Sequence, residues 1–189
     1  MWWLEQDRIR RFACRLACIA GLGGLAGGCF QPLYGEHSFT PNGPAIGPAL
    51  AGVDVGQIPA PGGSSESRVA VEARNQLLFD LTGGAAPPPP THRLAIRMTS
   101  NRLSVLVDIA SGRPDVEQYG LNVNYTLTEI KTGKPVVTGN TFARVSYDIP
   151  GQAQRFARAR ALRDAENRAS KLIADNIRAR LASYFVAGT

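Results

Sequence analysis

Cysteine, histidine and long apolar runs are scarce in this chain, and each scarcity removes a class of function. Of three cysteines, Cys14 and Cys18 lie in an N-terminal stretch with the character of an export signal, so only Cys29 persists beyond it. One remaining cysteine builds no internal disulfide, no cysteine metal site and no catalytic thiol within the mature chain. The two histidines, His37 and His92, sit in Pro/Gly-rich segments with no partner at metal-ligand spacing. No glycine-flanked nucleophile elbow occurs, and no phosphate-binding glycine loop follows a strand. Two carboxylate pairs, Asp115/Glu117 and Asp164/Glu166, have the look of acid/base groups. The first falls in an expected turn and the second on a charged helix face, so solvated surface is the better reading of both. The expectation is a protein without catalytic machinery, metal or cofactor.

The N-terminal apolar run, Leu16 to Gly28, is shorter than the roughly 20 residues that a bilayer-spanning helix needs. Arg8, Arg10, Arg11 and Arg15 precede or open it, and it ends in Leu25-Ala26-Gly27-Gly28-Cys29. A basic n-region, a short apolar h-region and small residues before a cysteine form the layout of a bacterial lipoprotein signal. In that layout residues 1–28 are removed and the Cys29 thiol is acylated, tethering the chain to a membrane. Competing readings are an ordinary secretory signal, or a buried amphipathic segment with an incidental cysteine. Glu5 and Asp7 are unusual for an n-region. Lipid on Cys29 also accounts for an otherwise puzzling free thiol in an exported chain, and two or more acyl chains give a stable anchor.

Removing residues 1–28 takes away four arginines, Glu5 and Asp7, leaving 17 basic against 13 acidic residues. That balance is mildly basic, well short of the charge density of a nucleic-acid binder. It suits anionic partners such as phosphorylated lipids without identifying one. The 161 residues from Cys29 onward fit one domain with a real core.

Residues 29–49 read as a Pro/Gly-rich tether without helical period, and 50–189 as a single domain. Val53 and Val55 mark a short strand. Ser64 or Ser65 can cap a helix running to Leu81, with Val69, Ala70, Ala73, Leu77, Leu78 and Leu81 on one stripe and Gly83-Gly84 ending it. Residues 83–91, with Pro87 to Pro90, form an extended linker; a recognition role for the prolines is the less favoured reading. Leu94, Ile96 and Met98 alternate, and the pattern resumes with Leu103, Val105 and Val107, which suggests a bulge or bend at Asn101-Arg102. Leu121, Val123, Tyr125 and Leu127 alternate with Asn122, Asn124, Thr126 and Thr128. A turn at residues 131–134 leads to a strand holding Val137, Val145 and Tyr147. A helix from about Gln152 to Phe185 carries Leu162, Ala165, Ala169, Leu172, Ile173, Ile177, Leu181 and Tyr184 as its apolar stripe. Its length of about 50 Å would overhang strands of ordinary length. The order β-α-β-β-β-α predicts an α+β two-layer sandwich, two helices on one face of a four-stranded, mostly antiparallel or mixed sheet.

Two basic sets are the candidate contacts. Arg155, Arg158, Arg160 and Arg163 crowd the start of the last helix, interleaved with Phe156, and suit lipid phosphates or an acidic partner. The simpler reading is a solvated face balanced by Asp164 and Glu166. Arg102, Arg113, Lys131 and Lys134 lie in turns and would form a second patch if one end of the sheet gathers them.

Cys29-Phe30-Gln31-Pro32-Leu33-Tyr34-Gly35 resembles the mature start of the lipopolysaccharide-assembly lipoproteins, the LptE family, in its alphaproteobacterial form. The motif residues are Pro32, Leu33, Tyr34 and Gly35 after the lipidated cysteine. Residues 163–169 and 177–185 are similar to that family's closing helix, and the order of elements is the family's own. The family commonly has glycine between the cysteine and the aromatic residue, where this chain has Phe30 directly. The resemblance implies an outer-membrane lipoprotein, lipid-anchored and facing the periplasm. Its partner would be the β-barrel of the lipopolysaccharide translocon, whose lumen it plugs, whose assembly it assists, and with which it binds lipopolysaccharide. It implies no catalytic residue. Phe30 also lacks the aspartate associated with inner-membrane retention. The alternative is an auxiliary lipoprotein of an ABC-type envelope lipid transporter, with a periplasmic hydrolase a distant third.

Overall fold

A computed structural model describes residues 45–107, 114–149 and 155–187. The signal segment, Cys29, the Pro32-Leu33-Tyr34-Gly35 motif, His37 and Arg113 lie outside the described residues. The elements are α1 (Ile46–Ala51), β1 (Val53–Val55), α2 (Ser65–Thr82), β2 (His92–Val107), β3 (Pro114–Glu129), β4 (Pro135–Asp148) and α3 (Arg155–Ala187). The sheet order is β1-β2-β3-β4, with β1 parallel to β2 and the other pairs antiparallel. Helices α2 and α3 pack on one face, so the fold is the expected α+β arrangement.

Helix α1 was not expected. It crosses the boundary placed at residue 50 and inserts Ile46 and Leu50 into the core. A six-residue helix holding Gly47 and Pro48 has poor propensity, so burial of its two large side chains holds it in place. Gly52 follows, and its carbonyl accepts the Thr91 backbone N–H at 2.9 Å, joining the entry of β1 to the entry of β2.

Helix α2 has the caps its sequence advertises. Ser64 is the N-cap and its hydroxyl accepts from the Ser67 N–H at 3.1 Å. Gly83 takes the left-handed conformation, φ 64°, and its N–H returns to the Phe79 carbonyl; a side chain there would be strained. Val69, Ala70, Ala73, Leu77 and Leu81 are buried, as the apolar stripe predicts.

Strands β2 and β3 have 16 residues each and β4 has 14. At about 3.4 Å per residue they span roughly 50 Å, the same as α3 at 33 residues. The helix therefore lies along the sheet instead of overhanging it. The expected bulge at Asn101-Arg102 is also absent: β2 pairs regularly through Asn101↔Gly120 and Arg102↔Tyr119, and the register slips only between Ser104 and Val107. A straight strand turns Leu103 and Val105 onto the helix-free face, where they are 59% and 54% exposed.

In α3 the buried residues follow four-residue steps: Ala165, Ala169, Ile173, Ile177 and Leu181, beside Glu166, Ser170, Ala174 and Ala182. Each such step advances about 40° around a helix of 3.6 residues per turn, so the buried stripe winds as it follows the twisted sheet. Leu172, expected on that stripe, falls off it and is exposed. The many alanines let the helix lie close to the strands. Among the described residues no helix is long and apolar enough to cross a membrane.

Candidate functional site

The apolar helix-side layer stops short of one end of the sheet, where the strands carry polar residues inward. There the N-terminus of α2, the middle of β2, the start of β3 and the first turns of α3 border an open polar cavity of about 670 Å³. Its lining includes Ser64, Glu66, Ser100, Arg102, Glu117, Tyr119, Arg158 and Glu166.

Each carboxylate is engaged. Glu166, 3% exposed, is bonded by the Arg68 guanidinium, which also donates to Asn167 at 3.3 Å. Glu117, 9% exposed, accepts from the Tyr147 hydroxyl and, at 3.1 Å, from Arg158. Glu66 accepts from the Ser100 hydroxyl at 2.9 Å. The network thereby ties α2 to α3, β2 to α2, and β3 to both β4 and α3. Burial pushes the Tyr147 phenol up to about 12, assisted by its bond to Glu117 and that residue's charge, while Arg102 and Arg158 pull the other way. Tyr119 is likewise raised by burial, with its bond to Ser100 opposing.

Both carboxylates therefore correct the sequence reading that set them on solvated surface. Glu117 is in phase with Tyr119, Leu121 and Val123, and extending that alternation two residues upstream would have found it. Glu166 lies four residues after Leu162 and seven before Ile173, on the core side of the wheel. Asp164 matches its expectation: it is exposed and accepts from Arg168 at 2.7 Å, one turn on.

The structure divides the basic set expected in turns. Arg102 lines the cavity and has no ion-pair partner among the described residues. Lys131 and Lys134 are exposed in the β3–β4 turn, next to the His92↔Glu129 end of the sheet. Ten residues of β2 separate that end from Arg102, roughly 30 Å of strand. The turn is set by Gly133, φ 67°, and by the Gly133 N–H bonding the Glu129 carbonyl at 2.9 Å. Antiparallel pairing sends alternate turns to opposite ends, so these residues cannot form one patch. The set at the start of α3 is divided by role: Arg158 is tied to Glu117, Arg160 and Arg163 are exposed, and Arg155 opens the helix. Arg102 and Arg158, from different sets, are the pair that the fold brings to one cavity.

His92 is a packing residue: its ring meets Phe185 edge-on at 5.2 Å and Tyr184 at 6.4 Å. Burial lowers its pKa, and Glu129 opposes the shift. Among the described residues no three His, Cys, Asp or Glu side chains are grouped to hold a metal.

The opposite face of the sheet carries no helix among the described residues and is mostly polar. Asn122 and Asn124 of β3 are exposed there with Thr126 and Thr128 half-buried, flanked by Thr99 on β2 and by Thr138 and Asn140 on β4. Leu103, Val105 and Phe142 are its exposed apolar members, and Arg144 lies 4.9 Å from the Phe142 ring.

The sequence matches no protein-family model and no curated protein. Among solved structures, the chain shares its fold with a protein of Caulobacter crescentus assigned as a lipoprotein. Identity there is 20% and the TM-score 0.59, over 76% of this chain and 97% of that one. The rare lipoprotein B of Shewanella oneidensis aligns at 14% identity and a TM-score of 0.51, over 71% and 96%. A minor lipoprotein of Acinetobacter baumannii aligns at 15% and 0.50, over 69% and 90%. At these identities the likeness is one of fold: the chain has an architecture found in bacterial lipoproteins.

Proposed function

We propose that this chain is an outer-membrane lipoprotein of the lipopolysaccharide translocon, anchored through Cys29, that plugs and helps assemble a partner β-barrel and binds lipopolysaccharide in transit. The observation that carries the reading is the uncovered sheet face. Three long strands present Asn and Thr side chains there, with the exposed Arg93, Arg97, Arg144 and Asp148 among them, over a length of roughly 50 Å. An uncovered face of that composition is stable in water, and it offers donors and acceptors to the polar interior wall of a membrane barrel. The resemblance of residues 29–35 to the LptE family and the fold shared with bacterial lipoproteins support the same reading. No chemical step is assigned, since each cavity carboxylate is already paired or hydrogen-bonded within the network.

In this reading Arg102 is the cavity group best placed for a lipid phosphate, because a guanidinium with no carboxylate partner among the described residues keeps its donor fork available. Arg102→Glu is expected to weaken lipopolysaccharide retention roughly tenfold, while Lys131→Glu with Lys134→Glu has a smaller effect; equal losses in both would remove the cavity from the lipid path. The experiment for the function is a pull-down of the tagged full chain from outer-membrane extract. The expected product is a stoichiometric complex with one β-barrel. Recovery only with inner-membrane ATPase components would replace this reading by an auxiliary role in an ABC-type lipid transporter.

A further inference from the structure

Helix α3 is held very differently along its length. From Ala165 onward it is fastened by buried side chains and by bonds to α2 and β4: Glu166 to Arg68, Arg168 to the Ser146 carbonyl at 3.4 Å, and Asn176 to Thr141 at 3.1 Å. From Phe156 to Asp164, about two and a half turns, no side chain is buried. Ala157, Ala161 and Leu162 are half-buried there and the rest are exposed. Among the described residues one hydrogen bond joins this stretch to another element: the Arg158 guanidinium donates to Glu117 of β3 at 3.1 Å. Alanines favour the helix locally. Against that, the first turn has no acidic residue, and Arg155, Arg158, Arg160 and Arg163 crowd the end where the helix dipole is already positive.

Space flanks the stretch on both sides. Toward α2 lies the polar cavity, which Arg158 and Glu117 help to line. Toward β4 lies a groove of about 500 Å³, with Ala157 and Ala161 on its helix wall and Tyr147 on its strand wall. Glu117 and Tyr147 are directly opposite each other in the β3–β4 register, and their side chains are bonded. One carboxylate thus faces the cavity and its phenol partner faces the groove. The Tyr147–Glu117–Arg158 chain of bonds is what divides the two spaces.

We propose that residues 156–164 are a strap that unwinds locally as far as Ala165 while the rest of α3 stays packed. The Arg158–Glu117 pair is its latch, and release joins the cavity and the groove into one polar channel across this end of the sheet. The latch suits reversible opening: the Arg158 side chain is 52% exposed, so water competes for the guanidinium and the pair is weak. Beyond Ala165 the buried stripe and the Arg68–Glu166 bond stop the unwinding. Release bares Glu117 and Tyr147 and frees Arg158 at the mouth of the channel. Strap and latch belong to the helix–sheet layer and do not depend on the barrel reading.

The test is amide hydrogen exchange of the full chain in detergent, measured over urea concentrations below the melting transition, with hydroxyl-radical labelling of Tyr147 alongside. Wild type, Arg158→Met and Arg158→Lys are compared. In wild type the amides of residues 160–164 are expected to exchange through openings that barely respond to urea. Those of 173–181 are expected to follow global unfolding and respond steeply. Arg158→Met is expected to speed exchange in 160–164 on the order of fivefold and Arg158→Lys by less. Tyr147 labelling is expected to rise in the same order. Met and Lys cover similar area, so that ranking follows the bond and not the shape of the side chain. Exchange of 160–164 in step with 173–181 across the urea series would overturn the proposal, and that comparison needs no variant. So would exchange in 160–164 left unchanged by Arg158→Met, or Tyr147 labelling that stays flat while strap exchange quickens.

Discussion

Removing Arg68 tests whether the polar network holds the helix pair to the sheet. Its guanidinium bonds a Glu166 carboxylate whose side chain is 4% exposed, whereas the Arg68 side chain is 36% exposed. Stranding a fully buried charge costs about 3–5 kcal/mol. Since a third of Arg68 is open, water reaches the vacated space and screens the carboxylate, which brings the cost of Arg68→Met to about 2 kcal/mol. For a domain of this size that lowers the melting temperature by about 6 °C. The sign of the second substitution is the sharper test. Adding Glu166→Leu removes the stranded charge and fills the site, so the double variant should recover to within about 1 kcal/mol of wild type. Urea melts of the four proteins, followed by circular dichroism, give the coupling energy directly. A single variant that melts like wild type would refute the reasoning, and so would a double variant no more stable than Arg68→Met.

Three further predictions concern the core and its titration. Tyr147 is raised from 10.0 to about 12, so the folded state holds its proton more tightly than the unfolded chain. Its stabilising effect is complete below pH 10 and is lost as pH rises toward 12, and stability measured across that range should fall less steeply in Tyr147→Phe, with Tyr119 and Tyr125, also raised by burial, leaving a residual slope. Ile173→Ala should cost about 2–4 kcal/mol in denaturant melts, and the neighbouring Leu172→Ala no more than about 0.5, because only the former lies on the winding buried stripe. Gly139 faces Tyr125, whose hydroxyl would sit 2.6 Å from an added Cβ; Gly139→Val should cost about 1–3 kcal/mol, part of it recovered in a double variant with Tyr125→Ala.

Element order was legible because local signals agreed with tertiary demands. Ser64 and Gly83 bracket an amphipathic stripe, and Leu121 to Leu127 alternate without interruption. The phase break between Met98 and Leu103 was visible, but it has two physical resolutions. A bulge would keep Leu103 and Val105 inside, whereas a straight strand exposes them and turns Arg102 toward the cavity. The choice depends on Glu66 and Tyr119, partners of this region that lie far away in sequence, and no local pattern contains them. Glu166 was misplaced for the same reason: its charge argues for solvent until Arg68, 98 residues away, supplies a partner. Helix α1 has no propensity signal at all and exists through burial of Ile46 and Leu50. The division of Lys131 and Lys134 from Arg102 follows from strands much longer than average, which Gly120 and Gly139 conceal from a reading of propensities. Gly120 is covered by the Asn101 side chain, and Gly139 by the Tyr125 ring.

Site-specific photocrosslinking in whole cells addresses the central proposal most directly, with the probe placed at Asn124 on the uncovered sheet face and, for comparison, at Lys171 on the exposed side of α3. If the chain is the translocon lipoprotein, Asn124 yields an adduct with one outer-membrane β-barrel that persists through purification under denaturing conditions. Adducts from Asn124 only with inner-membrane transporter subunits, or none with any barrel, would contradict it.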